Sequence, residues 1–140
     1  MKANELRIGN LVKIDRDIGM VEVISTIKHA IWAEDKDENI KVSVDGTYYD
    51  CTEDEIDPIP LTEDILRKCK SFRAGKNPDN QATFHVMKNK WEIKWIIEHW
   101  EKSEFNEDCF FIYGLGTFNY LHELQNWYFM KEKKELEVKL

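Results

Sequence analysis

The sequence predicts an α+β fold in two parts: a small β-barrel subdomain over residues 1–60, then an α+β subdomain over 61–140. The second part is expected to run helix, three-stranded antiparallel sheet, helix, edge strand, and to pack with the first as one body. Three observations carry this. Short apolar runs with period-two alternation crowd residues 7–51. The segment Asp57-Pro58-Ile59-Pro60 then interrupts any ladder, because two prolines in four residues remove backbone donors and fix φ. Finally, apolar residues recur at helical spacing over 118–131.

The elements follow in order. Residues 7–14 read as a first strand entered through the Gly9-Asn10 turn, and residues 20–27 alternate through Val21 and Val23 as a second. His29-Ala30-Ile31-Trp32-Ala33 reads as a short third, Ile40-Lys41-Val42-Ser43-Val44 as a fourth and Thr47-Tyr48-Tyr49-Asp50-Cys51 as a fifth. The last two flank Asp45-Gly46, a strong hairpin signal. Five short strands at this spacing predict a closed or half-closed barrel, which removes exposed edges. Src-homology (SH3-like) barrels open in this way.

After the prolines, Thr62 is a good N-cap, with Glu63 and Asp64 at the positive end of the helix dipole. This helix is expected to fade near Ser71-Phe72, before Gly75, Asn77 and Pro78. Residues 82–88 and 91–97 read as two strands joined at Asn89-Lys90, although Trp91 and Trp95 also fit an i, i+4 helical pair. Residues 109–113 form a third strand ended by Gly114 and Gly116. A helix over 118–131 puts Phe118, Leu121, Leu124, Gln125 and Tyr128 on one face, and 135–140 alternates as an edge strand.

A chain of 140 residues suits one domain or two small subdomains. Its 42% apolar and 12% aromatic content argues against disorder. The charge is uneven. Residues 1–60 hold 7 Lys+Arg against 14 Asp+Glu, while 61–140 hold 13 of each, so the whole net charge of −7 sits in the first part. Residues 34–57 carry ten acids against Lys36 and Lys41. No basic footprint for nucleic acid is present. No run approaches the roughly 20 apolar residues that span a bilayer, so no membrane partner is expected. The N-terminus has no apolar stretch behind its charges, unlike a secretory signal. Cys51, Cys69 and Cys109 are odd in number and in no C-x-x-C arrangement, which suits a reducing cytoplasm.

Three stretches carry a resemblance: Met1-Lys2-Ala3-Asn4-Glu5-Leu6-Arg7-Ile8-Gly9-Asn10-Leu11-Val12, Ile59-Pro60-Leu61-Thr62-Glu63, and Tyr120-Leu121-His122-Glu123-Leu124-Gln125-Asn126-Trp127-Tyr128-Phe129. Together they resemble a family of short proteins encoded by gut anaerobic bacteria and their prophages or mobile elements. That family more often has Gln at the position of Glu123 and Leu at that of Trp127. It has no established activity, so the resemblance implies a genomic setting and carries over no functional residue.

The candidate chemistries fail at required positions. Asp35-Lys36-Asp37-Glu38-Asn39 imitates half a calcium loop, but the sixth position is Ile40 and the twelfth Gly46, where Gly and Glu are needed. His122-Glu123 lacks the second histidine of a zinc-protease helix, since position 126 is Asn; His29, His85 and His99 are scattered. Gly114-Leu115-Gly116-Thr117 before a helix could hold a phosphate, but Asn119 replaces the third glycine of a dinucleotide fingerprint. The cysteines sit in no nucleophile signature. No cofactor and no metal ligand is therefore assigned.

The aromatic residues Trp91, Trp95, Trp100, Phe110, Phe111, Trp127, Tyr128 and Phe129 are expected in the core, with any surplus forming a protein-binding patch. Asp50, Glu53, Asp54 and Glu55 are the candidate protein-contacting acids. The expectation is a non-catalytic accessory or protein-interaction protein of a phage or mobile-element gene set. One alternative is an acidic decoy for a basic nucleic-acid-binding surface, and another is a small-molecule enzyme with an unrecognised site.

Overall fold

Alternation decides the first unit. Val12, Ile14, Ile40, Val42, Cys51 and Ile56 occupy inward positions of short strands and form one buried cluster, against which Leu6, Val44 and Tyr49 pack. The computed structural model describes residues 5–14, 23–30 (backbone alone), 40–44, 46–102, 104 and 108–140. Strands β1 (Leu11–Ile14), β2 (Val23–Ala30), β3 (Ile40–Val44), β4 (Thr47–Cys51) and β5 (Ile56–Asp57) make an antiparallel sheet in the order β4-β3-β2-β1-β5. A 3₁₀ turn at Glu53–Glu55 carries the chain from β4 to β5, which returns to pair with β1.

Two expectations are corrected. Among the described residues this sheet is open: β4 and β5 are its two edges and no closed barrel forms. His29 and Ala30 do not start a separate strand but continue β2 past a register shift between Ile27 and His29. Such a bulge re-aims a strand while keeping its pairing. Gly46 has φ +83°, the backbone a tight hairpin turn requires, while Asp45, residues 31–39 and the candidate calcium loop at 35–39 lie outside the described residues.

The chain divides into two compact units, 1–59 with 120–131 and 60–119 with 132–140. Helix α2 (Leu121–Glu132) thus groups up to Lys131 with the first unit, whereas sequence placed it with residues 61–140. Polar side chains hold it there. Gln125 Oε1 accepts the Leu11 N–H at 2.8 Å, and Gln125 Nε2 donates to the Gly9 carbonyl at 3.3 Å. Asn126 Oδ1 accepts from Asn10 Nδ2 at 2.8 Å and from Arg7 Nε at 3.2 Å. The Arg7 guanidinium lies 4.2 Å over the Phe129 ring. Gln125 and Asn10 are fully buried, so these bonds satisfy groups that water cannot reach.

In the second unit, Thr62 caps α1 (Glu63–Arg67) by accepting the Ile65 N–H at 3.2 Å. The helix ends earlier than expected, and the next strand starts at Phe72. The sheet has five strands rather than three: β6 (Phe72–Lys76), β7 (Ala82–Met87), β8 (Ile93–Trp100), β9 (Cys109–Ile112) and β10 (Gly116–Phe118), in the order β10-β9-β8-β7-β6. The two unexpected strands are the edges, where Gly, Lys and short length are tolerated. The C-terminal segment is not an edge strand of this sheet. Val138 makes an isolated bridge to Cys69, Lys70 N–H donates to the Glu137 carbonyl and Lys139 N–H to that of Lys68. Among the described residues no helix is long and apolar enough to cross a membrane.

Register fixes two faces. Phe84, Val86, Ile97, Phe110 and Ile112 share the buried face, on which His99 reaches α1. Thr83, His85, Ile96, Glu98, Trp100, Phe111 and Tyr113 fall on the other.

Candidate functional site

The two faces of β8 build two polar constellations. On the buried face, His99 Nδ1 lies 2.9 Å from Glu63 Oε1 at the start of α1, and Nε2 lies 2.5 Å from Asp108 Oδ1 just before β9. The ring stacks on Phe110 with centroids 4.5 Å apart and planes 10° from parallel. Burial pushes the His99 pKa down, but hydrogen bonds and charge from Glu63 and Asp108 outweigh it and raise the pKa. Two ring nitrogens facing two carboxylates can both donate only as imidazolium. In that protonated form the ring has no lone pair for abstracting a proton or ligating a metal. It serves as an ionic bridge between α1 and the approach to β9.

The bridge walls a polar cleft of about 560 Å³ between Glu63 and Arg67 of α1, the β6–β7 turn and the end of β8. Arg67 is engaged by Glu63 at 3.5 Å and Asp64 at 3.3 Å. Cations and carboxylates balance along this wall, so it presents no net charge to steer an ion.

On the opposite face, Glu98 is only 7% exposed. Its Oε2 accepts from Trp100 Nε1 at 3.1 Å and from Tyr113 Oη at 3.4 Å. Trp100 stacks on Phe111 at 4.6 Å, and Phe111 meets Tyr113 edge-on at 5.3 Å and 81°. These contacts depend on cross-strand register, and no sequence motif announces them.

A third feature is the end of the sheet where the β7–β8 and β9–β10 turns lie. Trp91 is 84% exposed, with Ile93, Tyr113 and Leu115 also exposed at this end. The turn is held by Asn89 Oδ1, which accepts the Trp91 and Glu92 N–H groups at 2.8 and 2.9 Å. Lys90 Nζ lies 5.3 Å from the Trp91 ring.

Asp50 is exposed on β4 and faces Lys41 at 3.8 Å. Glu53, Asp54 and Glu55 form the 3₁₀ turn, in which Glu55 Oε1 caps the Thr52 N–H at 3.1 Å and Oγ1 at 3.2 Å. Glu55 is therefore a cap of this turn.

His122 is buried in α2, where burial lowers its pKa, and Asn126 is committed to Asn10 and Arg7. Burial pushes the Cys69 thiol up to about 12, and its Sγ donates to the Ile65 carbonyl at 3.4 Å. Burial, then the Asp108 charge, raise Cys109. Gly114 and Gly116 have φ +80° and +113° in the β9–β10 hairpin, so the glycine loop leads into a strand rather than a helix. Among the described residues, no three His, Cys, Asp or Glu side chains converge on one metal position. Comparison with protein-family models, with curated proteins and with solved structures returned no match.

Proposed function

We propose that this protein is a non-catalytic protein-interaction module, working in the cytoplasm as an accessory product of a phage or mobile-element gene set. The observation that carries the reading is Trp91, an indole 84% exposed at the tip of a turn that Asn89 rigidifies. Tryptophan anchors dominate the energetics of protein interfaces, and a preorganised turn lowers the entropy lost on binding. Ile93, Tyr113 and Leu115 extend the apolar area at the same end of the sheet. A finer reading of the first unit belongs to the same proposal: an SH3-like barrel in half-open form. A four-strand meander, a 3₁₀ turn and a short β5 returning to β1 support it.

The reading is tested by affinity capture from the native host with the wild-type chain and with Trp91→Ser. A protein retained by the first and lost by the second is the expected outcome. An identical set of captured proteins for both, with unchanged far-ultraviolet dichroism, removes Trp91 as the anchor.

A further inference from the structure

We propose that the sheet face opposite α1 carries a binding site for a substituted ammonium ion, formed by Glu98 with Trp100, Phe111 and Tyr113. A carboxylate removed from water is ordinarily paired with a cation, because desolvation penalises the charge. Glu98 is 7% exposed, and no Lys, Arg or His lies within ion-pair distance of it among the described residues. Its Oε2 is doubly engaged, by an indole N–H and a phenol O–H. Its Oε1 has no hydrogen-bond partner among the described residues. The Thr83 hydroxyl, directly across on β7, is engaged with His85 Nε2 at 3.1 Å. The site therefore offers one open carboxylate oxygen.

The surroundings supply the rest. Phe111 is the cross-strand neighbour of Glu98, with Trp100 stacked on its ring and Tyr113 nearly perpendicular to it. The two rings at 81° make a corner beside the carboxylate. Aromatic faces carry negative potential and attract cations, and such attraction strengthens as water is excluded.

Donor counting selects among cations. A guanidinium brings five N–H donors and a primary ammonium three. One acceptor oxygen would leave most of these donors without a partner, which disfavours such ions at a sheltered site. A tertiary or quaternary ammonium brings one donor or none, and its methyl groups suit aromatic walls. The ligand class is thus a choline-like molecule or a methylated lysine side chain, which share this head group. Tyr113 borders both this site and the Trp91 surface, but the carboxylate and the other two rings belong to this site alone, so it does not rest on that reading.

The test is an amide and indole NMR titration of the full chain with tetramethylammonium, choline, a trimethyl-lysine peptide and the neutral alcohol in which carbon replaces the choline nitrogen. The expected result is saturable movement of the Trp100 indole signal and of residues 98–113, with affinity of about millimolar or tighter for a cation and none for the neutral isostere. Preference for choline or for the peptide assigns the source of the head group. Glu98→Gln keeps shape and donor partners and should weaken binding about tenfold; Phe111→Leu should do the same if the first variant is poorly folded. No movement with any of the three cations, or equal movement with the neutral alcohol, overturns the site.

Discussion

The His99 bridge makes stability depend on pH with a defined sign. His99 has a folded pKa raised above its ordinary 6.5, so its contribution is fully present below that value. It is lost as pH rises through the higher folded pKa. A neutral imidazole carries one N–H and can satisfy one carboxylate only, so deprotonation releases one contact. Asp108, 62% exposed, rehydrates more readily than Glu63 at 29%. A charge-assisted bond contributes about 1.5–3 kcal/mol when sheltered and at most about 1 kcal/mol when exposed. The Glu63 contact belongs nearer the first range and the Asp108 contact to the second. The bridge is therefore worth about 2 kcal/mol at pH 6. The assay is urea unfolding of wild type and His99→Gln from pH 5.5 to 9. The expected gap between the two is largest at the acidic end and shrinks towards pH 9. A gap that is flat, or that widens with pH, would refute the bridge as an imidazolium.

Three further outcomes follow from the packing. Gln125→Leu keeps bulk but strips the Leu11 N–H of its acceptor, and chemical unfolding should show a loss of about 2 kcal/mol, one buried donor left unsatisfied. Thr62→Ala removes the cap of α1 and should cost about 1 kcal/mol by the same measurement, with the Ile65 amide exchanging faster. Cys69, pushed to about 12 and buried, should resist iodoacetamide at pH 8 in the folded protein and react in urea, as read by mass spectrometry.

How much was legible depends on where the energy comes from. β3 and β4 match their expected bounds because alternation and a Gly turn agree there, and residues 82–88 agree with β7 within a residue. Thr62 announced α1 because capping is local. The edges β6 and β10 are not legible in the sequence, since Arg73-Ala74-Gly75-Lys76 and Gly116-Thr117 carry almost no apolar alternation; the neighbouring strand orders them. The helix-or-strand ambiguity of 91–97 has a cause as well. A register shift between Val86 and Met87 leaves Trp91 outside β8 and breaks the period at Ile93 and Trp95. The site was less legible than the fold. Glu63, His99 and Asp108 are separated by 36 and 9 residues; the pairing of β8 with β9 brings His99 to Asp108, and the packing of α1 on the sheet brings Glu63 to His99.

The same pleat lets one strand pair serve both constellations, and the doublet Phe110-Phe111 separates them experimentally. Successive side chains on a strand point to opposite faces. Phe110 is 2% exposed, lies on the core face and stacks under His99. Phe111 is half-buried on the other face, between Trp100 and Tyr113. Truncating a buried phenylalanine costs about 3–5 kcal/mol through lost transfer energy and the cavity left behind. Phe110→Ala should fall in that range and should also flatten the pH dependence of the His99 bridge, whose stacking platform is gone. Phe111→Ala leaves a wall that solvent can reach, so its cost should stay near about 1 kcal/mol, close to an aromatic pair energy. Its effect should appear instead in the tetramethylammonium titration, where binding is lost. Urea unfolding and that titration, run on both variants, give opposite rankings if the two faces have separate roles. Equal losses of stability would mean that Phe111 is core, and that Glu98 faces packing rather than a ligand.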